Sequence, residues 1–249
     1  MRVTVNIYKG GEGKTTIAVS LAVSAALSGF RTLLVDLDQN RSALLWFDVK
    51  PRLDLASYLV KGEGGEGLLE EVSCVSGLYM AEGGAALEEV LSGDPYLLLD
   101  RMMPVFKDFD FVFFDTPPWF GSVLKAALIA STHFLVPMSP SYLGAAGFAA
   151  LARFVVEVLQ YQPALKFLGV VLNMVSARER VSREMTVWVR ENLGREGVPV
   201  FDTVVRRSVR FREAVFKHIP VQLLGKAGGC AYEDVESLWS EFVRRLQEV

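Results

Sequence analysis

The feature that most restricts this chain is the run Lys9-Gly10-Gly11-Glu12-Gly13-Lys14-Thr15-Thr16. It follows a β-prone stretch (residues 3–8) and opens a helix-prone one (14–28) that stops at Gly29. A glycine-rich turn between strand and helix lets the backbone approach an anion and point successive N–H groups at it. The helix then aims the positive end of its dipole at the same place. These are the needs of a phosphate loop of the form GxxxxGK[ST]. In that frame Tyr8 stands where the first glycine would be, and Gly10 and Gly11 supply the flexibility. Gly10, Gly11, Glu12, Gly13, Lys14, Thr15 and Thr16 are therefore expected to cradle a triphosphate. Lys14 should reach its β- and γ-phosphates, and the Thr15 hydroxyl should ligate Mg²⁺.

The rest of the chain alternates in the same way. Strand-like runs at 32–35, 78–80, 109–114, 134–137, 168–172 and 200–205 are separated by helical stretches at 85–91, 95–106, 143–160, 182–193 and 232–247. Alternation of this kind predicts an α/β fold, a doubly wound and mainly parallel sheet flanked by helices, spanning residues 1–249 as one domain. Ligands of such folds sit at the carboxyl ends of the strands. Residues 61–67 (KGEGGEG) read as a loop.

Two acidic segments fall at those strand ends. In LLVDLDQN, Asp36 and Asp38 are alternate residues of an extended segment and point the same way. Beside a phosphate loop such a pair can hold Mg²⁺ and orient water for in-line attack. In FDFVFFDTPP, four apolar residues deliver Asp115 to the end of a strand, where it can accept from a metal-bound water. The two prolines stiffen the turn that follows.

Taken together, KGGEGKTT, DLDQ and DTPP resemble the ParA/Soj partition proteins of the deviant Walker A (ParA/MinD) class of P-loop ATPases. The resemblance covers nearly the whole chain and includes Phe134–Pro140 and the 200–214 stretch. It implies a Mg²⁺-dependent ATPase that forms an ATP-dependent homodimer. Lys9 would cross the interface to the partner's phosphates, and Asp38 would position or activate the water. Asp36, Asp115 and Thr15 would serve the metal, and Asn173 would touch the adenine. It also implies non-specific DNA binding, a ParB-like centromere-binding partner, a role in chromosome or plasmid partitioning and a cytoplasmic, nucleoid-associated location. Arg207 and Arg210 match positions that resemble DNA-contacting arginines of the family; Arg206 and Arg212 join them on charge alone. The chain departs from the family pattern in four places. Glu12 stands for the usual Val and Gln39 follows Asp38 where Pro is usual, while Arg206 and Ser208 replace Pro and Asn.

Bulk properties narrow the alternatives. A net charge of −3 over 249 residues excludes a wholly basic nucleic-acid coat, so DNA contact must come from a local patch such as RRSVRFR. Cys74 and Cys230 form no CxxC pair, which disfavours a cluster-bearing reductase. No signal peptide and no N-terminal helix-turn-helix are expected. A MinD-like membrane-positioning ATPase would need a basic amphipathic tail. Leu238, Trp239, Phe242, Val243 and Leu246 have helical spacing, but Glu233, Asp234, Glu236, Glu241 and Glu248 offset Arg244 and Arg245. A core-packing helix is expected, with no stable membrane association. A nucleotide-sensing adaptor with weak hydrolysis is the other alternative, because the Glu12 carboxylate sits beside the phosphates.

Overall fold

A computed structural model describes residues 1–62 and 64–248; Glu63, in the loop expected at 61–67, and Val249 lie outside the described residues. The strands are β1 (Arg2–Val5), β2 (Thr32–Asp36), β3 (Glu70–Glu71), β4 (Leu78–Glu82), β5 (Phe111–Asp115), β6 (His133–Met138), β7 (Lys166–Val175) and β8 (Val200–Arg206). The helices are α1 (Lys14–Leu27), α2 (Ser42–Phe47), α3 (Leu55–Lys61), α4 (Leu87–Ser92), α5 (Leu97–Phe106), α6 (Ser122–Ala130), α7 (Tyr142–Val158), α8 (Arg180–Arg195), α9 (Val209–Phe216) and α10 (Cys230–Glu248), with a 3₁₀ segment at Val221–Gly228.

All eight strands join one sheet in the order β3-β4-β2-β5-β1-β6-β7-β8. Every pairing is parallel except β3 with β4. The central strands read as unbroken apolar runs because helices cover both of their faces: each residue of β2 and of β5 is buried. On one face α1 and α10 pack Ile17, Leu21, Leu238 and Phe242 against Phe111 and Phe113. On the other, Leu98, Met102 and Phe106 of α5 meet Val112 and Phe114. Burying a Leu or Phe side chain contributes about 1.5–3 kcal/mol, so these two layers hold the sheet.

The expected strands and helices are all present, with ends that move by a few residues. Sequence periodicity missed α2, α3, α6, α9, the 3₁₀ segment and β3. Helix α6 is apolar apart from Ser122 and Lys125, with Val123, Leu124 and Ala126 to Ala130 buried, so its amphipathic pattern is weak. Strand β3 is two exposed glutamates, too short for any alternation to register.

Register then places the chemistry. Asp36 pairs with Asp115 across β2 and β5, and Asp115 pairs with Val5 across β5 and β1. Three neighbouring strands therefore end side by side, and two carboxylates and the loop after β1 meet at their carboxyl edge.

Candidate nucleotide site

The loop between β1 and α1 holds its shape through glycine and through a buried amide. Gly11 and Gly13 have φ of 77° and 83°, a region that L side chains avoid. At Gly13 a Cβ would also lie 2.1 Å from Asn173 Nδ2. That same Nδ2 donates to the Glu12 carbonyl at 2.8 Å, and Asn173 is 3% exposed. Asn173, expected on an adenine, thus spends one amide N–H on the loop itself, which is the consequence of its packing against Gly13. Asn173 still lines a cavity of about 550 Å³ beside the loop, with Thr16, Met174, Arg207, Val209 and Phe211.

A second cavity, about 500 Å³, opens at the carboxyl edge of the sheet. Gly10, Gly11, Gly13, Lys14, Thr15, Thr16, Asp38, Trp46 and Pro118 line it. The phosphate loop, the segment after β2 and the turn after β5 therefore face one space. Lys14 is 7% exposed, and its Nζ donates to the Lys9 carbonyl at 3.2 Å. Burial lowers its pKa, and the charges of Asp115, Asp38 and Glu12 pull it back up.

The two paired carboxylates differ. Both Asp115 oxygens are buried without a well-formed hydrogen bond. Burial, then the charge of Asp36, pushes the Asp115 carboxyl well above the usual range, while the nearby Thr15 hydroxyl and Lys14 favour its charged form. Hard oxygen donors left wanting beside a hydroxyl suit Mg²⁺, so Asp115 and Thr15 fit that ion. Asp36 has a task the sequence did not reveal. Its Oδ2 accepts from the Ala43 and Leu44 amides at 2.8 and 3.1 Å, and its Oδ1 from the Asp38 amide at 3.2 Å. Burial still raises it to about 7, against those amides. Asp36 thereby anchors the start of α2 and the segment carrying Asp38. Asp38 in turn accepts from the Asn40 amide at 2.9 Å.

The turn after Asp115 is fastened from β1. Asn6 donates to Thr116 Oγ1 at 2.5 Å and to the Pro117 carbonyl at 3.1 Å, and Thr116 donates to the Val5 carbonyl at 2.9 Å. Glu12 is turned away from the cavity. Its carboxylate pairs with Lys9 and accepts from the Ser139 amide at 2.5 Å.

The four arginines are not equivalent. Arg206 ends β8, and its guanidinium is held by Asp234 and Glu233 of α10, at 2.6 and 3.1 Å. Its neighbours answer its charge. Arg207 lies 4.0 Å from Glu179, and Arg210 pairs with Glu213 at 2.5 Å within α9. Arg212 lies on the same helix and has no ion pair among the described residues; it lines a shallow cavity with Val209 and the 84% exposed Phe216. Helix α10 has buried its apolar face, with Leu238 and Phe242 fully covered. Among the described residues no helix is long and apolar enough to cross a membrane.

Comparison with known proteins agrees with this geometry. An AAA-domain family model matches residues 2–167. The chain is 31% identical over 259 aligned residues to the chromosome-partitioning ATPase Soj of Thermus thermophilus, covering 99% of this chain and 97% of that one. It is 29% identical to the chromosome partitioning protein ParA of Myxococcus xanthus, covering 98% and 88%. In fold it is similar to the ATP complex of a Cyanothece McdA variant, with a TM-score of 0.82 at 20% identity over 99% of this chain and 96% of that one.

Proposed function

The chain belongs to the Soj/ParA family of P-loop ATPases, and from that premise we propose that it is a Mg²⁺-dependent ATPase that dimerises on ATP, binds DNA without sequence preference and acts in chromosome or plasmid partitioning. The observation that carries the reading is the cavity in which the loop glycines, Lys14, Thr15, Asp38 and Pro118 converge. The loop amides and Lys14 bind the triphosphate. Mg²⁺, held through Thr15 and Asp115 with Asp36 behind them, would neutralise charge on the β- and γ-phosphates. Asp38 orients the attacking water and accepts its proton; as the new P–O bond forms, the bond between the γ-phosphorus and the β–γ bridging oxygen breaks, leaving ADP and inorganic phosphate. Lys9 from a second copy adds a cation where charge develops, much as an arginine finger does.

DNA contact is assigned to Arg207, Arg210 and Arg212, with Arg206 contributing least because Asp234 holds it. Phosphate contacts by arginine give salt-sensitive, sequence-independent affinity. A dimer doubles their number on one body, so dimerisation switches affinity by avidity. A ParB-like centromere-binding protein completes the proposal as the stimulator of hydrolysis, and a nucleoid-associated cytoplasmic location follows from the DNA affinity.

The test is DNA retention at low salt with ATP against ADP. Retention should require ATP and should collapse in Arg207→Ala/Arg210→Ala. Retention that is equal with either nucleotide, or indifferent to that double substitution, refutes the DNA assignment. The MinD-like alternative receives no support from α10, whose apolar face is already buried.

A further inference from the structure

A lysine meant for a second subunit should be free in its own, yet Lys9 is engaged. Its ammonium pairs with Glu12, three residues along the same loop; the Lys9 side chain is 32% exposed and that of Glu12 is 2% exposed. The Glu12 carboxylate cannot swing out easily, because its other oxygen accepts from the Ser139 amide at 2.5 Å and its carbonyl accepts from Asn173 at 2.8 Å. Ser139 follows β6 and leads into α7, which lies against the loop: a Cβ on Gly147 would come within 3.0 Å of the Tyr8 carbonyl. Glu12 is thus fixed to the body of its own subunit, and Lys9 is fixed to Glu12.

A triphosphate approaching from a second copy competes for the same ammonium. Glu12 cannot share Lys9 with it at no cost, because that would bring a buried carboxylate within a few ångströms of the phosphate oxygens, and like charges at that range repel. When Lys9 leaves, Glu12 keeps the Ser139 amide and the attraction of Lys14, whose pKa already registers its charge.

We propose that Glu12 is a positioning residue that holds Lys9 in its own subunit, so that dimerisation requires exchange of the Lys9–Glu12 pair for a contact between Lys9 and the partner's phosphates. Glu12 then sets the ATP concentration at which two copies join. This rests on the ATP-dependent dimer proposed above. It also gives a physical reason for a carboxylate in a loop that binds anions: the charge opposes premature pairing.

The experiment measures dimer fraction by light scattering against ATP concentration, with Mg²⁺, in four proteins: the wild type, Glu12→Gln, Lys9→Gln and the double variant. Glutamine retains an oxygen for the Ser139 amide and removes the charge, and a thermal melt of each variant confirms folding. Glu12→Gln should reach half-maximal dimer at roughly ten-fold less ATP than the wild type, the scale of an ordinary coupling between sites. Lys9→Gln should abolish the ATP-dependent dimer, and the advantage of Glu12→Gln should vanish in the double variant. A merely structural Glu12 would, when replaced, leave the curve unmoved or shift it to higher ATP, the opposite of the direction expected here. A curve for Glu12→Gln that is unmoved or shifted to higher ATP, beside a wild type that dimerises, overturns the proposal and leaves the dimer intact. A wild type that stays monomeric with ATP overturns the dimer reading and this proposal with it. Should Glu12→Gln melt early, Glu12→Val is run in its place, with the same expected direction and the same refuting results.

Discussion

The pairing of Asp36 with Asp115 across neighbouring strands makes stability depend on pH in a direction opposite to that of an ordinary salt-bridged acid. Burial raises Asp36 from 3.8 to about 7, the amides of Leu44, Ala43 and Asp38 resisting and the Asp38 charge assisting. Asp115 holds its proton for the same reason, so the effect belongs to the pair. A folded-state pKa above the unfolded one means the native chain binds the proton more tightly. Stability from that proton is complete below about pH 4 and is lost as pH rises through about 7. A displacement from 3.8 to about 7 corresponds to a stabilisation on the order of a few kcal/mol, most of which is lost between pH 5 and 8. The assay is urea unfolding of the metal-free wild type and of Asp36→Asn over that range. Asparagine keeps an acceptor for Ala43 and Leu44 and cannot ionise, so carboxylates outside the Asp36–Asp115 pair cancel in the difference. The wild type should lose stability relative to the variant between pH 5 and 8, on the order of a few kcal/mol. Saturating Mg²⁺ with ATP should flatten the difference by favouring the charged pair. Parallel curves for the two proteins would refute the argument, since they would mean that no proton is held at this register.

Other outcomes follow from single contacts. Asp38→Ala should lower ATP turnover by roughly 10²-fold or more while leaving the ATP dimer formed, measured by phosphate release and light scattering. Arg206→Ala leaves the buried Asp234 without its partner and should lower stability by about 1–2 kcal/mol, a figure reduced for the solvent-facing edge of the guanidinium; DNA retention should change less than in Arg212→Ala. Trp46→Phe removes the indole donor to the Ile219 carbonyl, 3.1 Å away, and should cost about 1 kcal/mol in urea unfolding.

The fold and the phosphate loop were legible because their determinants are local. A Gly-rich turn between a buried strand and a helix is written in consecutive residues, and the apolar runs of β2 and β5 carry Asp36 and Asp115 to one edge without help from distant sequence. What stayed hidden depends on partners far along the chain. Nothing near Arg206 announces that Asp234, 28 residues later, will take its charge. The charge run was readable, but how many of its arginines are available was not. Asn173 was expected beside the base from the family resemblance alone, and its bond to the loop carbonyl, set by how close Gly13 lies, could not be read from sequence. Glu12 looked like a misplaced charge, and only the Ser139 amide, brought by β6, shows where it points.

The same long-range contacts tie the nucleotide site to the arginine helix. Asp36 grips the first turn of α2, and Trp46 near the end of α2 lines the nucleotide cavity while donating to Ile219. Trp46 also offers its carbonyl to His218, at 3.2 Å, in the turn that closes α9. His218 holds φ of 53°, a conformation that costs a non-glycine residue and persists only where its surroundings fix it. Val215 of α9 lines the same cavity as Asp38. Asp36, α2, Trp46 and the turn after α9 thus form one contiguous chain of contacts from the acidic segment to the helix bearing Arg210 and Arg212. The arginines reside on a helix that forms part of the nucleotide cavity's wall, and this is the physical basis on which nucleotide state and a charged outer face can depend on each other.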